Sequence, residues 1–232
     1  MKISYRIGAL GLALALSGCA TGSNPQDPLE SYNRAMFGFN DKLDMVVVKP
    51  AATVYQDLLP SFVQTGIGNF FGNIGDVWTA VNNLLQGNLE NGMTDIMRVA
   101  LNSTMGFLGV LDIGSEAGLT KHREDFGQTL GVWGMQSGPY VVLPVFGSST
   151  ARDTAAFPVD FSADLWSYKD PVYVRNIGTG VRLIDRRAVL LGASSMIEDA
   201  ALDKYAFTRD AYLQRRESLI RNGSSSKADY DE

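Results

Sequence analysis

Apolar and polar positions recur with a helical period over much of the chain. Met93, Ile96, Met97, Ala100 and Leu101 fall at i, i+3, i+4, i+7 and i+8, the spacing of one helix face. Val77, Val81 and Leu84 repeat that spacing, with Trp78 and Leu85 alongside. A helix is predicted over Leu29–Val48, behind Pro28, where apolar and charged positions mix. Thr150, with Asp153 three residues on, resembles a capping box and opens a helix near 150–164. Two more helices are predicted, over Val172–Ile197 and Asp199–Arg221. The last mixes acid and base along its length, so one face is solvated. No run alternates with period two. YVVLPVF (140–146) is at most a short extended piece, because Pro144 cannot donate to a strand ladder. The pattern is all-α. It disfavours a β-barrel, which needs many alternating segments of about ten residues.

The first 18 residues follow a different logic. Lys2 and Arg6 precede an apolar run, Ile7–Leu16, that is too short to span a membrane. Leu16-Ser17-Gly18-Cys19 then forms a lipobox, with the only cysteine of the chain at the acylation position. The expectation is a lipoprotein signal peptide over 1–18 and a lipidated Cys19 at the head of a polar tether, 19–28. Two or three acyl chains hold far more firmly than one, since each buried methylene adds roughly 0.8 kcal/mol. Ala20 after the anchor, rather than Asp, suggests the outer membrane. A single helical domain is predicted over 29–222. The tail from Gly223 (GSSSKADYDE) has the composition of a disordered segment.

Charge is unevenly spread. Residues 58–151 carry 10 charged side chains in 94 positions, and residues 152–232 carry 25 in 81. Leu58–Gly75 and Phe126–Ala151 have none. Both stretches contain proline and several glycines, so neither reads as a plain membrane span. They are either a buried core or segments that sit in lipid without crossing it. Gly-x-x-x-Gly occurs at 68/72, 114/118, 127/131 and 134/138. In helices, that spacing would let backbones approach closely in lipid. The net charge of −5 argues against nucleic-acid binding. One cysteine and one histidine leave no disulfide and almost no scope for a Cys/His metal site.

Catalytic patterns are missing. There is no Gly-x-Ser-x-Gly elbow and no phosphate-binding P-loop. His122 lies in Lys121-His-Arg-Glu-Asp125, a charged stretch that reads as an exposed loop. No catalytic residue, metal or cofactor is expected.

Several blocks carry a family resemblance. They are DPLESYNRAMF (27–37), Lys49-Pro50, NLLQG (83–87), EDFGQTLG (124–131), Trp133-Gly134, GPYVVLP (138–144), Arg152-Asp153 and RDAYLQRR (209–216). In this order they resemble the MlaA (VacJ) family of outer-membrane lipoproteins across nearly the whole mature chain. The resemblance implies a ring-shaped bundle of amphipathic helices lying in the inner leaflet of the outer membrane. It implies a trimeric porin as partner. It also implies a polar channel that removes mislocalised phospholipids from the outer leaflet. A periplasmic lipid carrier and an inner-membrane ABC transporter would then take them, preserving lipid asymmetry. Such transport needs shape and polarity, not a nucleophile, because the barrier is a charged headgroup crossing hydrocarbon. The alternatives are an outer-membrane phospholipase and a structural or virulence-associated lipoprotein. Asn69, Asn73, Asn82, Asn83, Gln86 and Gln128 are candidates to face the channel, though each could equally cap a helix or bond across helices. Gly38-Phe39-Asn40, inside the first predicted helix, is a candidate gate.

Overall fold

The computed structural model describes residues 24–228. Cys19 and the expected signal peptide lie outside the described residues. The first helix, α1 (Glu30–Leu43), begins where expected. It runs past the predicted end through one π-helical turn, Asp44–Val48, into α2 (Lys49–Leu58). Pro50 explains that turn. Proline lacks an N–H and its ring crowds the carbonyl four residues back. The Lys49 N–H reaches five residues back, to Asp44 O, so the wider turn takes up the misfit. Leu59 is extended, the conformation favoured before a proline, and α2 ends there.

Next come α3 (Ser61–Leu85) and α4 (Leu89–Thr104), which pack on each other. Gly87, in the left-handed region, makes the turn between them. Asn88 caps α4, its side chain accepting from Asn91 N. Two short helices follow, α5 (Ile113–Glu116) and α6 (Phe126–Val132). The stretch 140–150 folds into an antiparallel hairpin, β1 (Tyr140–Leu143) and β2 (Gly147–Thr150). Pro144 sits in its turn, not in a strand, which removes the objection to pairing. α7 (Ala151–Ala163) starts at the predicted cap, with Thr150 Oγ1 accepting from Asp153 N at 3.2 Å. The return half of the box is absent. Asp153 turns its carboxylate to Arg152, Arg216 and Tyr212 instead.

A 3-10 turn, Leu165–Tyr168, leads to α8 (Val172–Val189), α9 (Leu191–Ala200) and α10 (Lys204–Ala228). The single helix predicted over 172–197 is thus broken near Leu190. The next one starts at Lys204 rather than Asp199, and it continues beyond Gly223, where composition predicts disorder. α2 and α3 both pack against α8, and α10 against α6.

Polarity is distributed against the usual rule. Among the described residues, eight hydrophobic ones are buried, 18 polar or charged ones are buried, and 36 large hydrophobic side chains are exposed. Buried polar groups normally cost free energy unless paired, and large apolar patches on water are rare. α4 shows the inversion plainly. Leu89, Met93, Ile96 and Met97 face outward, while Asp95, Arg98 and Asn102 face in. Among the described residues, a compact apolar cluster gathers Tyr140, Val142 and Tyr205, with Met36, Phe37, Tyr212 and Leu213 against it.

Candidate functional site

The inner face of α3 is small and polar. Gly68 leaves room for Asp185 of α8, and Gly72 for Lys121, whose Nζ would meet an added Cβ at 3.1 Å. Lys121 pairs there with buried Asp76 at 2.7 Å. One and two turns on, Thr79 accepts from Glu124 N, and Asn83 donates to Asp95 at 2.8 Å. These glycines therefore accommodate charged side chains. Gly114 lies against Arg98, Gly127 against Asp153 and Arg216, and Gly131 against Arg152 and Ile220, whereas Gly118 has open space. The expected close approach of helix backbones at these spacings is not what they serve.

The loop of residues 119–125 supplies most partners of this face. His122 Nδ1 lies 3.0 Å from Asp95 Oδ1. A carboxylate only accepts, so Nδ1 carries the proton. The imidazole is largely covered and Glu124 is half-buried, while Thr120, Lys121 and Arg123 stay exposed, so the expected loop is solvated on one side and bonded to the protein on the other. The reason lies in the partners: Asp95, Gln86 and Arg216 hold His122, Glu124 and Asp125. Burial pushes the carboxyls of Asp76 and Glu124 above the ordinary range, despite Lys121 beside the first and Gln86 beside the second. Asp160 is raised for the same reason, although Trp78 Nε1 and Phe126 N both donate to it.

Two further polar knots flank this face. In one, fully buried Arg98 grips both oxygens of Asp112 at 2.8 and 2.9 Å and donates to Ser115 Oγ and Leu119 O. In the other, Arg216 of α10 joins Asp125 and Asp153. At the far end, Asp27 is wholly buried. Asn33, Tyr205 and Arg209 all donate to it, tying the segment before α1 to α10.

The sequence-selected residues divide into three groups. Asn73, Asn82, Asn83, Gln86 and Gln128 are buried and bonded within the protein. Asn82 accepts from Thr129 Oγ1, Gln86 donates to Glu124 and Thr129, and Gln128 donates to Arg123 O and Asp125. The amide oxygens of Asn73, Gln86 and Gln128 have no partner. Asn69 is half-buried and donates to Val110 O at 3.2 Å. Gly38, Phe39 and Asn40 lie apart from these, on α1. An added Cβ at Gly38 meets nothing within 4 Å, Phe39 is exposed, and Asn40 clasps the hairpin turn through Leu143 O and Val145 N. Lys121, Arg123 and Arg186 are exposed. The only sequence signal for Arg186 was its place four residues after Arg182.

No described helix is long and apolar enough to cross a membrane. No described group of histidine, cysteine or carboxylate side chains could hold a metal.

Comparison with known proteins places this architecture. Residues 25–219 match the model of the MlaA lipoprotein family. The intermembrane phospholipid transport system lipoprotein MlaA of Escherichia coli K12 is 35% identical over 98% of this chain and 92% of its own length. The Haemophilus influenzae protein of the same name is 28% identical over 96% and 93%. An uncharacterised Rickettsia bellii protein is 34% identical over 84% and 76%. A solved structure from work on the "structural basis for maintenance of bacterial outer membrane lipid asymmetry" superimposes with a TM-score of 0.74. It is 34% identical and covers 84% of this chain and 98% of that one. With a helical fold, a polar interior and this breadth of likeness, the chain belongs to the MlaA lipoprotein family.

Proposed function

We propose that this protein is an outer-membrane lipoprotein, anchored through Cys19. It removes mislocalised phospholipids from the outer leaflet by a polar channel and passes them to a periplasmic carrier, so maintaining lipid asymmetry. The observation that carries this reading is the inverted polarity. Exposed apolar faces suit acyl chains, and the charged, glycine-notched face of α3 suits a headgroup. Amphipathic helices of this kind lie in one leaflet instead of crossing it, and non-helical backbone at that depth must line protein or water. Most of the polar amides support the walls, and the passage runs past the accessible cations. A trimeric porin is the proposed neighbour in the membrane. No catalytic step is involved.

The test is surface-exposed phospholipid in cells lacking the gene, complemented with the intact protein or with Cys19→Ser. Outer-leaflet phospholipid should rise in the deletion and fall only with the intact protein. An unchanged outer leaflet would sink the reading. A purified protein that released fatty acid from phospholipid would replace it with hydrolysis.

A further inference from the structure

We propose that Arg123 and Arg186, with Arg182 beside them, form a subsite for the phosphate of a glycerophospholipid; the inference rests on the transport reading above. Arg182 and Arg186 lie four residues apart on α8 and so share a face. Arg123 comes from the loop between α5 and α6; Lys121 of that loop lies against Gly72 of α3, and the Arg182 guanidinium lies over the ring of the adjacent Phe71 at 5.8 Å, so the loop and the Arg182/Arg186 face converge on one stretch of α3.

Three features together mark these arginines. First, neither Arg123 nor Arg186 has a side-chain hydrogen bond or ion pair among the described residues, a condition shared with Arg215 on α10, whereas Arg98, Arg152, Arg209 and Arg216 are all held by carboxylates. The carboxylates that face Arg186 are already engaged. Asp164 takes Arg182 at 2.7 Å, and Asp185 takes the Tyr55 hydroxyl at 2.7 Å. Second, Arg123 and Arg186 are both exposed, so an anion arriving from outside the protein can reach them. Third, three guanidiniums meet two carboxylates there, in a chain whose net charge is −5. Like charges four apart on a helix repel. Arg182 also keeps its Nε buried without a partner. The arrangement costs stability by itself and fits an anion with several acceptor oxygens. Guanidinium forks match phosphate oxygens in pairs.

The test uses the full-length lipoprotein in detergent. Its binding of dioctanoyl phosphatidylglycerol, dioctanoylglycerol and inorganic phosphate is compared with that of Arg123→Gln/Arg186→Gln and of Arg186→Lys. The native protein should favour the phospholipid over dioctanoylglycerol. The double variant should lose roughly tenfold per arginine for the phospholipid alone, the size of one charge-assisted contact each. Arg186→Lys should recover part of the loss. Unchanged phospholipid affinity in the double variant overturns the proposal. So does an equal loss for both lipids, which would mark a structural role. Inorganic phosphate bound as tightly as the phospholipid would assign the arginines to a free anion and overturn the lipid assignment. If the native protein bound neither lipid, the transport reading itself would fall.

Discussion

Asn33 engages both of its N–H donors and its amide oxygen in a place water does not reach. It donates to Asp27 at 2.7 Å and to Tyr140 O at 3.0 Å, and accepts from Val142 N at 2.8 Å. Asn33→Ala would leave three buried groups short of a partner, at a combined cost of about 3 kcal/mol or more. A lower urea midpoint in detergent would register it, and a midpoint within error of the native protein would refute it. Asp112 sets the acid limit of the neighbouring knot. Burial raises its carboxyl, but hydrogen bonds from Ser115, Asn102 and Arg98 outweigh burial and hold it at about 2, against an ordinary 3.8. A depressed acid adds stability that is fully present above 3.8 and drains away as pH falls toward about 2. The loss is about 2 kcal/mol. Urea midpoints at pH 5 and pH 2.5 should therefore converge more in Asp112→Asn than in the native chain.

At the scale of the element, glycines separate by what stands beside them. Gly178, in α8, has Trp166 against it, and an added Cβ would lie 2.1 Å from Cζ2. Gly178→Ala should cost about 2 kcal/mol through overpacking. Gly75 and Gly38 have open space, so alanine there should gain up to about 1 kcal/mol of helix propensity. Thermal scans of the three variants would check the signs. If Gly38 gates access, its alanine variant would be stabler and yet slower to clear surface phospholipid.

Such contrasts also mark what the sequence could disclose. The period of Met93, Ile96, Met97, Ala100 and Leu101 revealed α4, because a helix face repeats whatever solvent it meets. The same pattern could not tell which face looks outward, and here the apolar one does. The hairpin was half visible: β-rich residues marked β1, while β2 (GSST) owes its place to pairing rather than propensity. His122 looked solvated because its neighbours in sequence are charged. Its partner, Asp95, is 27 residues away. Arg186 had only its spacing from Arg182 to mark it, since a missing partner is visible only in three dimensions.

At the scale of the whole molecule, the apolar exterior should bind membrane without help from the acyl chains. Non-acylated Cys19→Ser protein should float with vesicles of phosphatidylethanolamine and phosphatidylglycerol. Protein that remained monomeric in the aqueous fraction would contradict lipid burial of these faces. The latch at Asp27 adds a geometric limit. Eight Cα-to-Cα steps lead from Cys19 to Asp27, which at full stretch is about 28 Å, close to the thickness of a bilayer's hydrocarbon core. Asp27 is fixed beneath Tyr205 and Arg209, so the leash cannot lengthen by peeling the chain away without breaking a buried charge pair. Were Cys19 the lipid anchor, as proposed, the domain would be too closely moored to travel with its cargo. It would work as a turnstile, and any journey beyond that reach would belong to another protein.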